Sequence, residues 1–320
     1  MNSTIPLNSS IFVQKMNDIL AQCSFFSCII GIGICILSNI LNLMICLREN
    51  IRKEMMGFYN ITISSWNIWA LICGFFYCCP IVFNGTNVLL LSNLSCALIN
   101  YVTRVGSQMT AWRYVCLTID RYLCVAFYHN RIYHIFNSRK NLAIIFLILF
   151  AFISLVNIPN LFSYIVLDAD SNMTCESSYF INLVRNLVVC VFRVILPTLL
   201  QAIFSVLLIF RFFKVRRTVV TNSNGSMKKD YRFARIILWL NLIYFITEIP
   251  YCLTTLYFGI IGKTPTYPIL ANTSNELAVM SLVFYLSVVF GSYLFGSLFF
   301  VNFFTNKLFQ REIRLMFGRR

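Results

Sequence analysis

Asp120, Arg121 and Tyr122 stand together in the run TAWRYVCLTIDRYLCV, placing an acid, a base and a phenol at the end of a long hydrophobic segment. Further charges lie inside comparable segments. Arg113 precedes Arg121 by about two helical turns, Arg193 lies one turn before Pro197, and Glu248 lies two residues before Pro250. Ionisable groups within a membrane are costly and are retained where they have partners and a task. An unpaired carboxylate at that depth costs on the order of several kcal/mol or takes up a proton. The chemistry these residues offer is ion pairing and charge-dependent recognition.

Bond-making chemistry has little to work with. The two histidines, His129 and His134, fall in a polar stretch with no ligand-spaced cysteine or acid beside them, so no metal site is expected. There is no Gly-rich phosphate loop, no His-Glu-x-x-His and no nucleophile elbow. An enzyme is excluded on these grounds, and no cofactor is expected.

The elements that must position these charges are membrane spans. Of 320 residues, 59% are hydrophobic and 12% are charged, and the mean hydropathy is +0.76. A soluble domain carries about twice that charge. A helix crosses the hydrocarbon core with about 20 mostly apolar residues. Seven runs qualify, at about 24–47, 58–83, 93–125, 141–166, 184–213, 232–260 and 275–302. The expected fold is therefore an all-α membrane protein, a single seven-helix bundle over residues 1–320 with 1–23 outside. The opening stretch lacks the apolar run and small-residue end of a cleaved leader, so the first span is expected to act as its own signal. At the other end, 304–318 mixes Leu308, Phe309, Ile313, Leu315, Met316 and Phe317 with basic residues, the pattern of an amphipathic helix on the inner membrane surface.

Charge sets the orientation. Of the 26 Lys and Arg, 19 fall in four regions: three at Arg48–Lys53, three in Arg131–Lys140, eight in Arg211–Arg235 and five from Lys307 onward. Lys15 and Lys263 alone fall in the opposite loops. Basic residues in short loops stay cytoplasmic, so the N-terminus is expected to face outward in the plasma membrane. The net charge of +15 then reflects topology and attraction to anionic inner-leaflet lipid, not nucleic-acid binding. Asn2, Asn8, Asn84, Asn93, Asn172 and Asn272 begin Asn-X-Ser/Thr triplets on the outer side and are expected glycosylation sites; Asn60 and Asn224 match but fall inside.

Several spacings carry a resemblance. Cys96 lies 25 residues before Arg121, and Cys175 follows the next span. Asn39 and Asn67 lie 28 apart in the first two spans, and Pro197 and Pro250 mark the fifth and sixth. With Asp-Arg-Tyr in the third span, the chain resembles rhodopsin-like G-protein-coupled receptors. Phe245–Pro250 (FITEIP) is similar to invertebrate neuropeptide and orphan receptors. The resemblance implies a Cys96–Cys175 disulfide that pins the second outer loop. It also implies that Arg121, with Asp120 and Tyr122, forms the switch that receives a heterotrimeric G protein. Asp230, 20 residues before Pro250, matches the acid that holds this arginine in the inactive state. A solvated acid in a basic loop is the alternative for Asp230. The chain departs from the pattern at Asn67, where an aspartate is usual, at Glu248, where a tryptophan is usual, at Ser205 in place of a tyrosine, and in GSLFFVNFFTN, which lacks Asn-Pro-x-x-Tyr.

In a seven-helix bundle the fifth and sixth spans are neighbours, so Glu248 pairs with Arg193, or with Arg104 of the third span, or stays neutral against a local hydroxyl. Thr103, Arg104, Ser107, Arg193 and Glu248 are expected to line one outward-open ligand cavity. Thr103 stands where amine receptors carry an aspartate, which disfavours an amine ligand. No lysine lies between Lys263 and Lys307, which excludes a retinal Schiff base. Asp168, Asp170 and Glu176 in the outer loops would steer a cationic ligand or merely keep that face soluble. The expected function is a neuropeptide receptor coupled to a G protein. A chemosensory receptor of the same fold for small molecules is the alternative. A seven-span transporter or channel is a third reading, opposed by the absence of paired broken helices.

Overall fold

The computed structural model of the protein describes residues 14–15, 18–19, 22, 31–78, 90–127, 138–167, 173–219, 225–261 and 275–318, with side chains excepted at 76–78, 173–174, 212–236, 275 and 305. The apolar runs form helices α1 (Ile32–Cys46), α2 (Met55–Cys78), α3 (Asn93–Ala126) and α4 (Arg139–Val156). The next helix, α5, consists of Tyr179–Val189 and Leu196–Val219 joined through a π turn at Cys190–Ile195. α6 (Gly225–Ile261), α7 (Asn275–Thr305) and the short α8 (Lys307–Met316) follow. Ser92 starts α3 with a capping box: its hydroxyl accepts from the Ser95 N–H at 3.1 Å, and the Ser95 hydroxyl accepts from the Ser92 N–H at 2.9 Å.

The helices pack in a closed ring. α1 lies against α2 and α7, α2 against α3, α3 against α5, and α6 against both α5 and α7. α3 also touches α4 and α6, making it the central element. Its interior position explains its composition. Arg113, Asp120, Gln108 and Thr118 are all buried in protein. The outer faces are the reverse: Ile144, Leu147, Ile148 and Leu155 of α4 are exposed, as are Phe210, Ile246 and Phe290 on other helices. A polar interior beneath an apolar outer face is the arrangement lipid selects.

Among the described residues, four segments are both long and apolar enough to cross a membrane: Arg139–Phe162, Tyr179–Arg211, Ile237–Ile261 and Glu276–Phe304. The described part of α1 is apolar but 15 residues long. α2 and α3, of 24 and 34 residues, are long enough; α3 carries Arg104, Arg113, Asp120 and Arg121, and α2 carries the buried Asn60 and Asn67. The fold is thus an all-α, multi-span bundle of membrane character, with four such spans among the described residues where seven were expected.

Boundaries differ in informative ways. The fourth span, expected to reach 166, ends as an α-helix at Val156. Asn157 folds its side chain onto the Ile153 carbonyl at 2.8 Å, and Pro159 directs the chain into a short 3₁₀ turn, Ile158–Phe162. Strands β1 (Tyr164–Leu167) and β2 (Met173–Glu176) then form an antiparallel ribbon in which Ile165 faces Cys175. Among the described residues the ribbon is the one addition to an otherwise helical reading. α6 begins at Gly225, seven residues before the expected 232, so part of the expected inner loop is helical.

Candidate functional site

Pro197 organises the centre of the site. A proline has no N–H, so the carbonyls one turn before it lose their usual donor. The π turn at Cys190–Ile195 absorbs the mismatch. The Phe192 carbonyl accepts from Trp112 Nε1 of α3 at 2.9 Å, and the Arg193 carbonyl accepts from the Tyr244 hydroxyl of α6. One sequence feature thereby ties three helices together and fixes the backbone that carries Arg193. π turns of this kind recur at functional sites.

The Arg193 side chain reaches α6. Its Nε and Nη2 donate to Glu248 Oε2 and Oε1, both at 2.9 Å, with the guanidinium 4.2 Å above the Tyr251 ring. Glu248 is 2% exposed. Of the readings left open by the sequence, the pair with Arg193 is the one formed. Across from it, Gly291 of α7 leaves room: a Cβ there would stand 3.6 Å from Glu248 Oε1 and 4.0 Å from Arg193 Nη2.

The α3 candidates lie on the N-terminal half of that helix. Ser107 is buried and turns its hydroxyl back to the Arg104 carbonyl at 3.0 Å. Thr103 Oγ1 and Arg104 Nη1 are buried with no hydrogen-bond partner among the described residues. Arg104 makes no ion pair with Glu248. α3 packs against the π turn that carries Arg193 and also touches α6, which brings the candidates of α3, α5 and α6 to one side of the bundle. Above them, Cys96 and Cys175 are bridged, with Cα atoms 5.9 Å apart. That bond fastens the β ribbon to the N-terminal end of α3, and Asn93 Oδ1 accepts from the Ile165 N–H at 2.8 Å beside it.

At the C-terminal end of α3, Arg121 turns onto its own neighbour. Its Nε and Nη2 donate to Asp120 Oδ2 at 2.9 and 2.5 Å. Tyr122 packs its ring against Phe127 and Phe204, at 5.9 and 5.5 Å between centroids. The side chain of Asp230, the residues His129 and His134, and the expected glycosylation sites Asn2, Asn8, Asn84, Asn172 and Asn272 lie outside the described positions; Asn93 is exposed.

Arg113 is marked in the sequence by its charge, whereas its partners and two further features have weak signals. Arg113 is held by carbonyl and rings: its Nη1 donates to the Thr62 carbonyl at 2.5 Å, and its guanidinium lies 4.7 Å from Trp66 and 5.0 Å from Phe146. A buried amide network joins helix interiors. Asn67 donates to the Phe295 carbonyl at 2.8 Å and to Asn39 Oδ1 at 3.3 Å, Gln108 and Asn157 exchange two bonds between α3 and α4, and Asn241 donates to Ser205 Oγ at 2.8 Å. The departures at Asn67 and Ser205 are therefore filled by amide contacts. Finally, Glu312 of α8, fully buried, pairs with Arg48 at 3.0 Å and accepts from Asn50 at 2.9 Å. Nothing in spacing alone announces that contact, since 48 and 312 lie at opposite ends of the chain.

No curated protein matches the chain. A family model described as serpentine type 7TM GPCR chemoreceptor Srw matches residues 22–299, from before α1 through most of α7, a range that includes Arg113, Asp120, Arg193 and Glu248. The chain belongs to the serpentine 7TM GPCR chemoreceptor Srw family.

Proposed function

We propose that the protein is a chemosensory receptor of the plasma membrane that binds a small extracellular molecule and activates a heterotrimeric G protein. The observation that carries this reading is the match to a chemoreceptor family over residues 22–299. In this account all seven long helices cross the membrane with the N-terminus outside, consistent with basic residues concentrated in one set of loops. Asn2 and Asn8 are then the accessible glycan acceptors. The ligand enters beneath the ribbon fastened by Cys96–Cys175 and meets Thr103, Arg104, Ser107 and the Arg193–Glu248 pair. Ligand binding shifts α6 relative to α3 and α5, and the inner end of α3, at Arg121, receives the G protein.

A peptide ligand has one observation in its favour, the acidic residues Asp168, Asp170 and Glu176 of the outer loops. The chemoreceptor family match weighs against making it the first choice. A screen separates the two: cells expressing the receptor with a promiscuous G protein are challenged with a library of small organics and a library of neuropeptides. Activation by small organics alone is expected. Activation by peptides alone would replace the reading with the peptide one, and a ligand-gated current without G-protein activation would replace it with a channel.

A further inference from the structure

The outer half of the bundle contains a cation whose charge no described residue balances. Glu248 is the buried acid at that level, and both of its oxygens are occupied by Arg193. Arg104 of α3, the helix that touches α6, has its Nη1 buried and unpartnered, and the Oγ1 of Thr103, the preceding residue, is buried and unpartnered as well. A guanidinium is always protonated and is planar, with paired donors that match a carboxylate at two points. Burying such a donor without an acceptor is unfavourable, and binding a complementary anion removes that cost. The aromatic face of Tyr251 is already covered by Arg193 at 4.2 Å, so it does not serve Arg104 in the same way. A hydroxyl one residue away adds a neutral donor for a second oxygen.

We infer that Arg104 and Thr103 form the recognition point for a single anionic, carboxylate-type group on the ligand. The inference rests on the receptor reading above and assigns the charge class of what that site takes. It runs opposite to the outer-loop acids, which alone would favour a cation. The Arg193–Glu248 pair is neutral in sum, so Arg104 leaves its surroundings net positive. A carboxylate on a small organic acid and a free C-terminal carboxylate on a short peptide share this chemistry.

The test uses the purified full-length receptor in lipid nanodiscs and follows its thermal unfolding. Hexanoate and benzoate are compared with hexanamide and benzamide, and a short peptide ending in a free carboxylate with its amide. A rise of several degrees is expected with an acid and not with its amide, and Arg104→Gln removes that rise. The unliganded Arg104→Gln protein should unfold at the same or a higher temperature than the wild type, because it loses a cation whose Nη1 is buried without an acceptor. A role in holding the fold would lower it instead. The small-acid and peptide arms tell the two sources apart. The inference is overturned if no acid stabilises the receptor, if amides stabilise it equally, or if Arg104→Gln keeps the response. G-protein activation is assayed separately on the same preparations, so failure to activate under any compound counts against the receptor reading and not against the anion site.

Discussion

Arg193 and Glu248 form a two-point ion pair between α5 and α6, each N–O distance 2.9 Å, with side chains 14% and 2% exposed. The Arg193 backbone is meanwhile held by Tyr244 through the carbonyl that Pro197 frees. The pair and the π turn thus lock the same residue from both ends, joining the two helices whose relative movement the proposed activation requires.

Breaking that pair from one side leaves a buried charge. Glu248→Gln or Arg193→Gln alone should lower stability by about 3–5 kcal/mol, read as lost surface expression and a lower unfolding temperature in detergent. Removing both, as Arg193→Met with Glu248→Leu, should recover most of the loss. A double variant as impaired as the worse single one would show that the side chains act separately.

The bridge between Cys96 and Cys175 encloses 78 residues, for which the chain-entropy model gives about 4 kcal/mol, less in a chain already confined by a membrane. Replacing both cysteines by serine should destabilise the receptor by about 2–4 kcal/mol and loosen the ribbon over the site. Peptide mapping of the unreduced protein should recover the two cysteines in one linked fragment. Both thiols recovered free would contradict the bridge.

At the inner end, the resemblance pairs Arg121 with Asp230 in the resting receptor. A partly exposed contact of this kind is worth about 1 kcal/mol, enough to move a two-state balance severalfold. Asp230→Asn should raise basal signalling, while Arg121→Ala should abolish coupling with ligand binding retained. Flat basal activity in Asp230→Asn, in a receptor shown to couple, would leave Asp230 as a surface charge. Arg121 already holds Asp120 at 2.5 Å, so Asp120→Asn should also raise basal signalling by releasing that arginine.

The contact between α8 and the first inner loop makes a separate prediction. Glu312→Ala removes the acceptor for Arg48 and Asn50, a loss of about 1–3 kcal/mol. Backbone amide exchange across α8 should rise about tenfold or more, with α3 and α5 unchanged. Unaltered exchange would mean that the apolar packing of Phe309 and its neighbours holds the helix alone.

Much of this was legible in the sequence for physical reasons. Lipid demands long apolar runs, so the helices stand out by hydropathy, and the cost of buried charge marks Arg113, Arg193 and Glu248 as residues with partners. The depth of Arg193 and Glu248 relative to Pro197 and Pro250 even points to each other. What stayed hidden depends on tertiary contact. The early end of α4 follows from Asn157 bonding its own helix and Gln108, which an apolar count over 141–166 cannot register. The β ribbon comprises two four-residue strands, too short for periodicity to distinguish from loop. The unpartnered state of Arg104 depends on Glu248 being already engaged, a choice between two arginines that spacing leaves open. Glu312 reads as one acid in a basic amphipathic helix until the fold brings Arg48 beside it.

The most direct measurement for the central claim is nucleotide exchange on a heterotrimeric G protein by the purified receptor, with compounds from the small-organic screen. The account predicts that at least one small molecule accelerates exchange, that Arg121→Ala abolishes the acceleration while still binding that molecule, and that neuropeptides have no effect. Exchange driven by peptides but by no small molecule, or equal exchange with Arg121→Ala, would contradict it.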